Sequence, residues 1–180
     1  MADDSLLVER RAGALWLTLN RPQAANALTP EQRNGLIAGL EEASGDPSVR
    51  VVVLAAEGRH FCSGADLSGG TGGPQLAGDV ARTLRTGSQR LIAAVLDCEK
   101  PVVAEIHGAA AGIGAHLVLA CDFAVASEDA RLIEVFARRG LVPDGGGAYL
   151  LPRLVGPMRA KELMMLADDL PADRAGALGL

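Results

Sequence analysis

An α/β layered fold built as one domain over residues 1–180 is what the sequence predicts, and three observations carry that expectation. Two β-branched runs, Val49 to Ala55 (VRVVVLA) and Pro101 to Ile106 (PVVAEI), read as buried strands. Each leads into a glycine-rich loop and then an apolar helical pattern, so strand, loop and helix recur at least twice without a linker or a long-period repeat. The composition, 49% hydrophobic but only 3% aromatic, calls for an aliphatic, alanine-rich core in which helices pack closely on strands.

Taken in order, Leu6 to Arg11 and Leu15 to Asn20 alternate around Ala12, Gly13 and Ala14, the pattern of a β-hairpin with a short turn. Pro22 breaks the strand, leaving Arg21 to Leu28 as a loop. Thr29, Pro30, Glu31 and Gln32 match a capping box with proline in the first turn, so a helix is expected from Pro30 to Ala43, ended by Asp46 and Pro47. The loop Glu57 to Leu67 (EGRHFCSGADL) leaves the Val49 strand, and Ser68 to Pro74 reads as a mobile flap before a helix over Ala77 to Leu96. Further strands are expected at Phe123 to Ala126 and Leu132 to Phe136. Helices follow at Ala148 to Leu154 and Met158 to Ala167, separated by Gly156 and Pro157.

Charge and cysteine usage exclude several classes of function. A net charge of -5 gives no electrostatic footprint for nucleic acid, and no basic run marks a membrane surface. No apolar run approaches the roughly 20 residues of a membrane span. Three cysteines without a CxxC pair (Cys62, Cys98, Cys121) point to reduced thiols in a cytoplasmic protein, and the three histidines form no metal-ligand cluster.

The stretch with the most chemical character is His107 to Asp122, HGAAAGIGAHLVLACD. Its small residues sit where the PVVAEI strand gives way to a helix, and they let a ligand come close to main-chain N–H groups. Those groups have no intrahelical partner and lie at the positive end of the helix dipole, a setting that holds an oxygen acquiring negative charge. The alternative is a close-packed crossing with no ligand.

Four motifs in order then resemble the crotonase family, the enoyl-CoA hydratase/isomerase superfamily. They are NRPQAANAL (Asn20 to Leu28), HFCSGADL (His60 to Leu67), HGAAAGIGA with its ACD ending, and GLVPDGGGAYLLPRLVG (Gly140 to Gly156). The resemblance implies a spiral of ββα units, a homotrimer or pair of trimers, and an acyl-coenzyme A thioester as substrate. No separate cofactor is implied, because coenzyme A is part of the substrate. The resemblance puts the oxyanion hole on the backbone N–H groups of Ala65 and Ile113, with Gly112 and Gly114 as neighbouring registers. Ile113 stands where relatives carry glycine; being β-branched, it should have ordinary helical or extended backbone. Ala24, Ala25, Ser63, Gly64, Asp66 and Leu67 would line the coenzyme A channel, with Gly112 and Phe136 also binding the substrate. Relatives also continue past Leu180 with C-terminal helices, so a C-terminal helical part is expected to be missing from this chain.

The departures decide the mechanism expected. Where hydratases of the family carry two glutamates, this chain has His116 and Phe136, and phenylalanine moves no proton. Asp144 matches the acidic position that some isomerases of the family use to move a proton along the acyl chain. His116 shares a helix face with Ile113 and Leu117, and its neutral form is favoured in a first helical turn. Double-bond isomerisation through Asp144 is therefore the leading expectation. Hydration through His116, thioester hydrolysis or decarboxylation, and a catalytically silent acyl-CoA binder remain as rivals. Asp144 alternatively caps the following helix, and His116 is alternatively a core residue. Glu105, Asp122, Glu128 and Glu134 read as strand-end or surface carboxylates, His60 and His107 as structural, and Cys62 has no histidine partner for nucleophilic chemistry.

Overall fold

The hairpin comes first, because Ala12 and Gly13 both take positive φ (50° and 86°), the two-residue turn whose twist suits paired strands. It joins β1 (Leu6–Arg11) to β2 (Ala14–Leu19) in antiparallel register, and β2 drives Leu15, Leu17 and Leu19 into the core. The computed structural model describes residues 4–68 and 76–180, so all of the expected flap beyond Ser68 lies outside the described residues. Parallel strands β3 (Val51–Ala56) and β4 (Val102–Ile106) follow, then the fully exposed edge strand β6 (Phe123–Ala126), in the order β1-β2-β3-β4-β6. A second sheet contains β5 (Ala109–Ala111), β7 (Arg131–Ile133) and β8 (Asp169–Pro171) in that order.

The helices are α1 (Pro30–Gly45), α2 (Asp79–Thr86), α3 (Ser88–Leu96), α4 (Ile113–Ala120), α5 (Gly147–Leu166) and α6 (Ala172–Leu178). In α1 the expected capping box is formed: Gln32 N–H donates to Thr29 Oγ1, and Thr29 N–H donates to Gln32 Oε1, each at 3.2 Å. In α5 the chain kinks at Gly156 (φ 76°), where the two helices were expected to part.

These elements make a spiral. One turn lays β4 in the first sheet, β5 in the second and then α4; the next lays β6 beside β4, β7 beside β5 and then α5. The preceding turn enters the second sheet as a single residue pair, Cys62 opposite Ala110, with Ala111 N–H donating to the Cys62 carbonyl at 2.8 Å. The α/β spiral expected from the sequence is thus observed.

Three expectations need correction. The helix over Ala77 to Leu96 is two helices, broken at Gly87, where a Cβ would lie 2.6 Å from both Arg33 Nη1 and the Thr83 carbonyl. The strand feeding α4 is the short β5, not PVVAEI, because the chain changes sheets at His107 and Gly108. The Leu132 to Phe136 strand ends at Ile133.

The loop after β2 is fixed by a buried asparagine. Asn26 is wholly buried; its Nδ2 donates to the carbonyls of Glu57 and His60, and its Oδ1 accepts from Arg21 N–H, all at 2.8 Å. Its φ of 51° is one that asparagine tolerates better than most residues. Asn26→Ala leaves two carbonyls and an amide without partners. At about 1–3 kcal/mol per buried group, a loss of at least about 3 kcal/mol is expected in urea unfolding.

Candidate active site

The site grows from two loops that run side by side. Beyond the Cys62–Ala110 pair, both chains enter glycine: Gly64 (φ 118°) on one side and Gly112 (φ 55°, ψ −120°) on the other. A Cβ on Gly112 would lie 3.9 Å from Gly64 Cα and 3.9 Å from Phe136 Cζ, so Gly64, Gly112 and Phe136 meet at one place. One residue further on stand Ala65 and Ile113. Neither backbone N–H makes a backbone hydrogen bond among the described residues, and that of Ile113 is the first of α4. Ile113 has negative φ and helical geometry, as its branched side chain requires. Small size at Gly114 has its own cause, since a Cβ there would sit 2.6 Å from the Cys62 carbonyl.

The NRPQAANAL loop clasps the SGAD loop. Ser63 N–H donates to the Ala25 carbonyl at 3.0 Å, and Leu28 N–H donates to the Gly64 carbonyl at 2.8 Å. Arg21 Nη1 reaches both the Ala27 carbonyl (2.6 Å) and Asp66 Oδ2 (2.8 Å). Ala24, Ala25, Ser63, Gly64 and Asp66 are therefore brought together, while Leu67 projects outward.

Hydrogen bonds from Ser68 and the Arg21 guanidinium hold the Asp66 carboxyl down at about 2 from an ordinary 3.8. A depressed carboxyl stabilises the fold above its ordinary range and loses that contribution as pH falls through the folded value. Asp66→Asn is thus expected to melt below wild type at neutral pH, and the gap in Tm to close as pH drops from 3.8 towards about 2.

Beneath these loops lies His116, in the first turn of α4 and completely buried. Its Nε2–H donates to Glu134 Oε2 at 3.2 Å, while Phe136 stacks on its face with centroids 5.1 Å apart and planes within 9°. Neither His116 Nδ1 nor Glu134 Oε1 has a hydrogen-bond partner among the described residues. Glu134 stands at a strand end as expected, just after β7, but it is 6% exposed and faces the core rather than the surface. Its apolar neighbours Leu132, Ile133, Val135 and Phe136 were the available sign of burial.

Asp144 opens a turn whose next three residues are glycine. Gly145 rests on Ile113, a Cβ there falling 2.6 Å from Ile113 Cδ1, and Gly147 rests on His116, its Cβ falling 2.3 Å from Nε2. Asp144 does not cap α5, whose N-cap is Gly146 with no side-chain bond. The half-buried Asp144 carboxylate makes no hydrogen bond among the described residues, and the turn's outer side is held by Gln89 Nε2 donating to the Asp144 carbonyl at 3.2 Å. Burial raises the Cys62 thiol to about 11, which suits a packing residue and not a nucleophile. His60 Nδ1 accepts from Ala109 N–H and His107 Nε2 bonds the Gly58 carbonyl, both structural as expected.

No group of three or more metal-ligating side chains occurs among the described residues, and no helix among them is long and apolar enough to cross a membrane. Comparison with known proteins agrees with the geometry. The family model described as enoyl-CoA hydratase/isomerase matches residues 9–180. The chain is 38% identical over 180 residues to a probable enoyl-CoA hydratase of Rhodobacter capsulatus, covering all of this chain and 68% of the relative. It is 35% identical over 169 residues to the 1,2-epoxyphenylacetyl-CoA isomerase of Escherichia coli, covering 93% of this chain and 64% of the relative. The crystal structure of an enoyl-CoA hydratase from Mycobacterium avium superposes with a TM-score of 0.87 at 36% identity, covering all of this chain and 70% of that one. Two glycine loops hydrogen-bonded side by side, a histidine sealed under a triple-glycine turn and matches of this extent together place the chain in the enoyl-CoA hydratase/isomerase family.

Proposed function

We propose that this protein shifts the double bond of an enoyl-CoA thioester, with Asp144 as the proton carrier. One observation carries the reading: the carboxylate of Asp144, on the turn whose next residue Gly145 rests on the Ile113 side chain, makes no hydrogen bond among the described residues, whereas His116 is buried and already bonded to Glu134. The thioester oxygen accepts from the N–H groups of Ala65 and Ile113. The Asp144 carboxylate takes a proton from C2 of a 3-enoyl chain, and the C–H electron pair moves into a dienolate whose charge rests on that oxygen. Asp144, now a carboxylic acid, returns the proton to C4, leaving the double bond between C2 and C3. Water is neither consumed nor released.

Further support comes from Phe136, which stacks on His116 and itself moves no proton. The relative named for an epoxyphenylacetyl-CoA isomerase is consistent with isomerase chemistry on this scaffold. Coenzyme A enters as part of the substrate, held along Ala24, Ala25, Ser63, Asp66 and Leu67, and no separate cofactor is proposed. Assembly into a trimer is proposed on the apolar exposure of Phe123 and Val125 along edge strand β6, and a cytoplasmic setting on the unpaired Cys62, Cys98 and Cys121.

A product assay on matched 3-enoyl and 2-enoyl coenzyme A thioesters tests the reading. Isomerisation of the first faster than hydration of the second supports it. Ready hydration that only His116→Ala abolishes assigns the chemistry to the histidine, and binding without turnover makes the chain a silent acyl-CoA binder.

A further inference from the structure

The turn that carries Asp144 is tied down at its two ends, by Gln89 Nε2 on the Asp144 carbonyl and by the start of α5 at Gly147, and has no side chain of its own to pack between them. Gly145, Gly146 and Gly147 offer no side chains to pack, and glycine gives up more conformational freedom on ordering than any other residue. Between those ends its height depends on what it rests on. Underneath are Ile113 Cδ1 and Ile92 Cγ2, at 2.6 Å and 3.1 Å from Cβ positions on Gly145 and Gly146, and above all the imidazole of His116. Three ring atoms, Nε2, Cδ2 and Cε1, lie within 3.0 Å of a Cβ position on Gly147, and Nδ1 lies 2.9 Å from one on Gly145. The ring thus spans the turn from one glycine to the other.

A ring in that role must itself be fixed, and it is held from two directions. Phe136 stacks on its face, and Glu134 takes the Nε2–H. A carboxylate and an imidazole in a site this closed carry a desolvation cost that a hydrophobic pair of the same shape would avoid. That cost is raised by two polar atoms, His116 Nδ1 and Glu134 Oε1, that find no partner among the described residues. A polar pair so placed is a poor device for stability alone. It is a good device for orientation, because a hydrogen bond fixes the ring's rotation about its Cβ bond where apolar packing leaves two edges equivalent.

Resting on the assignment of Asp144 as proton carrier, we propose that Glu134 and His116 are positioning residues: they form a buried seat that sets the height and angle of the Asp144 turn over the oxyanion site. His116 touches no substrate in this role, and Glu134 acts through it. Misplacing a reacting group by about 1 Å costs about 10²-fold in rate, so the seat is read in kcat.

The test measures kcat and KM for 3-enoyl thioester isomerisation by the full chain, together with amide hydrogen exchange across residues 144–147. Glu134→Ala and His116→Ala are expected to lower kcat by about 10- to 10²-fold with KM held within about threefold. Glu134→Gln, whose amide oxygen still accepts from Nε2–H, is expected to recover most of kcat. Exchange in the turn should quicken in both alanine variants while the strands stay protected. His116→Ala added to Asp144→Asn should cost nothing further, because the seat works only through the carboxylate. Should His116→Ala fail to fold, the contrast between Glu134→Ala and Glu134→Gln decides alone. The proposal is overturned if both alanine variants keep wild-type kcat, act through KM only, or multiply the loss of Asp144→Asn. An Asp144→Asn variant that keeps full activity instead sinks the proton-carrier assignment, and the exchange data then judge the seat by itself: unchanged protection of the turn refutes it.

Discussion

Asp144→Asn is expected to lower the 3-enoyl isomerase rate by about 10²- to 10⁴-fold, the contribution typical of a positioned proton-transfer group. The substitution keeps the side chain's shape and one carbonyl oxygen but accepts no proton at working pH. Stability should move by less than about 1 kcal/mol, because the carboxylate neither caps α5 nor enters a hydrogen bond among the described residues. The loss should fall on kcat with KM close to wild type, as for an interaction needed in the transition state only. His116→Ala should cost less on the same substrate, since the ring is bonded to Glu134 and closed off by Phe136. The two variants measured on both substrates separate isomerisation from hydration. Full isomerase activity in Asp144→Asn would end the proposed mechanism.

What was legible in the sequence was legible for local reasons. The capping box of α1, the hairpin turn and the β-branched strands are decided by residues within a few positions of each other, and each formed where the pattern put it. The glycine loops were readable as sites because so many small residues have little other use. The sheet change at Gly108 was not readable, since it depends on β5 finding β7, about twenty residues further along the chain. The partner of Glu134 was not readable for the same reason: it is 18 residues away, and apolar neighbours hint at burial without naming the histidine opposite. Asn26 and Arg21 lay within a recognised motif, yet their hydrogen bonds cross to Glu57, His60 and Asp66 on another loop. The glycines at 145–147 are the helix entry they looked like, but the smallness of Gly145 and Gly147 also answers to the ring beneath them, which the sequence did not show.

Ala65→Pro is expected to abolish most turnover, and the reason is confined to one hydrogen atom. Proline has no backbone N–H, and the N–H of Ala65 makes no backbone bond among the described residues, so its removal breaks no ladder there. The neighbouring pair survives, because Leu28 N–H donates to the Gly64 carbonyl and Asp66 N–H donates to the Leu28 carbonyl, both outside residue 65. Gly64 precedes the new proline and is the residue most able to absorb its steric demand. Loss of one oxyanion donor costs about 2.7–4 kcal/mol of transition-state stabilisation, which is about 10²- to 10³-fold in kcat. Ala65→Ser retains the N–H and should stay within about fivefold of wild type. A melting curve for Ala65→Pro within a few degrees of wild type shows that the fold persists. Wild-type turnover by that variant would mean that Ala65 holds no oxyanion, and that the two glycine loops lie together for packing alone.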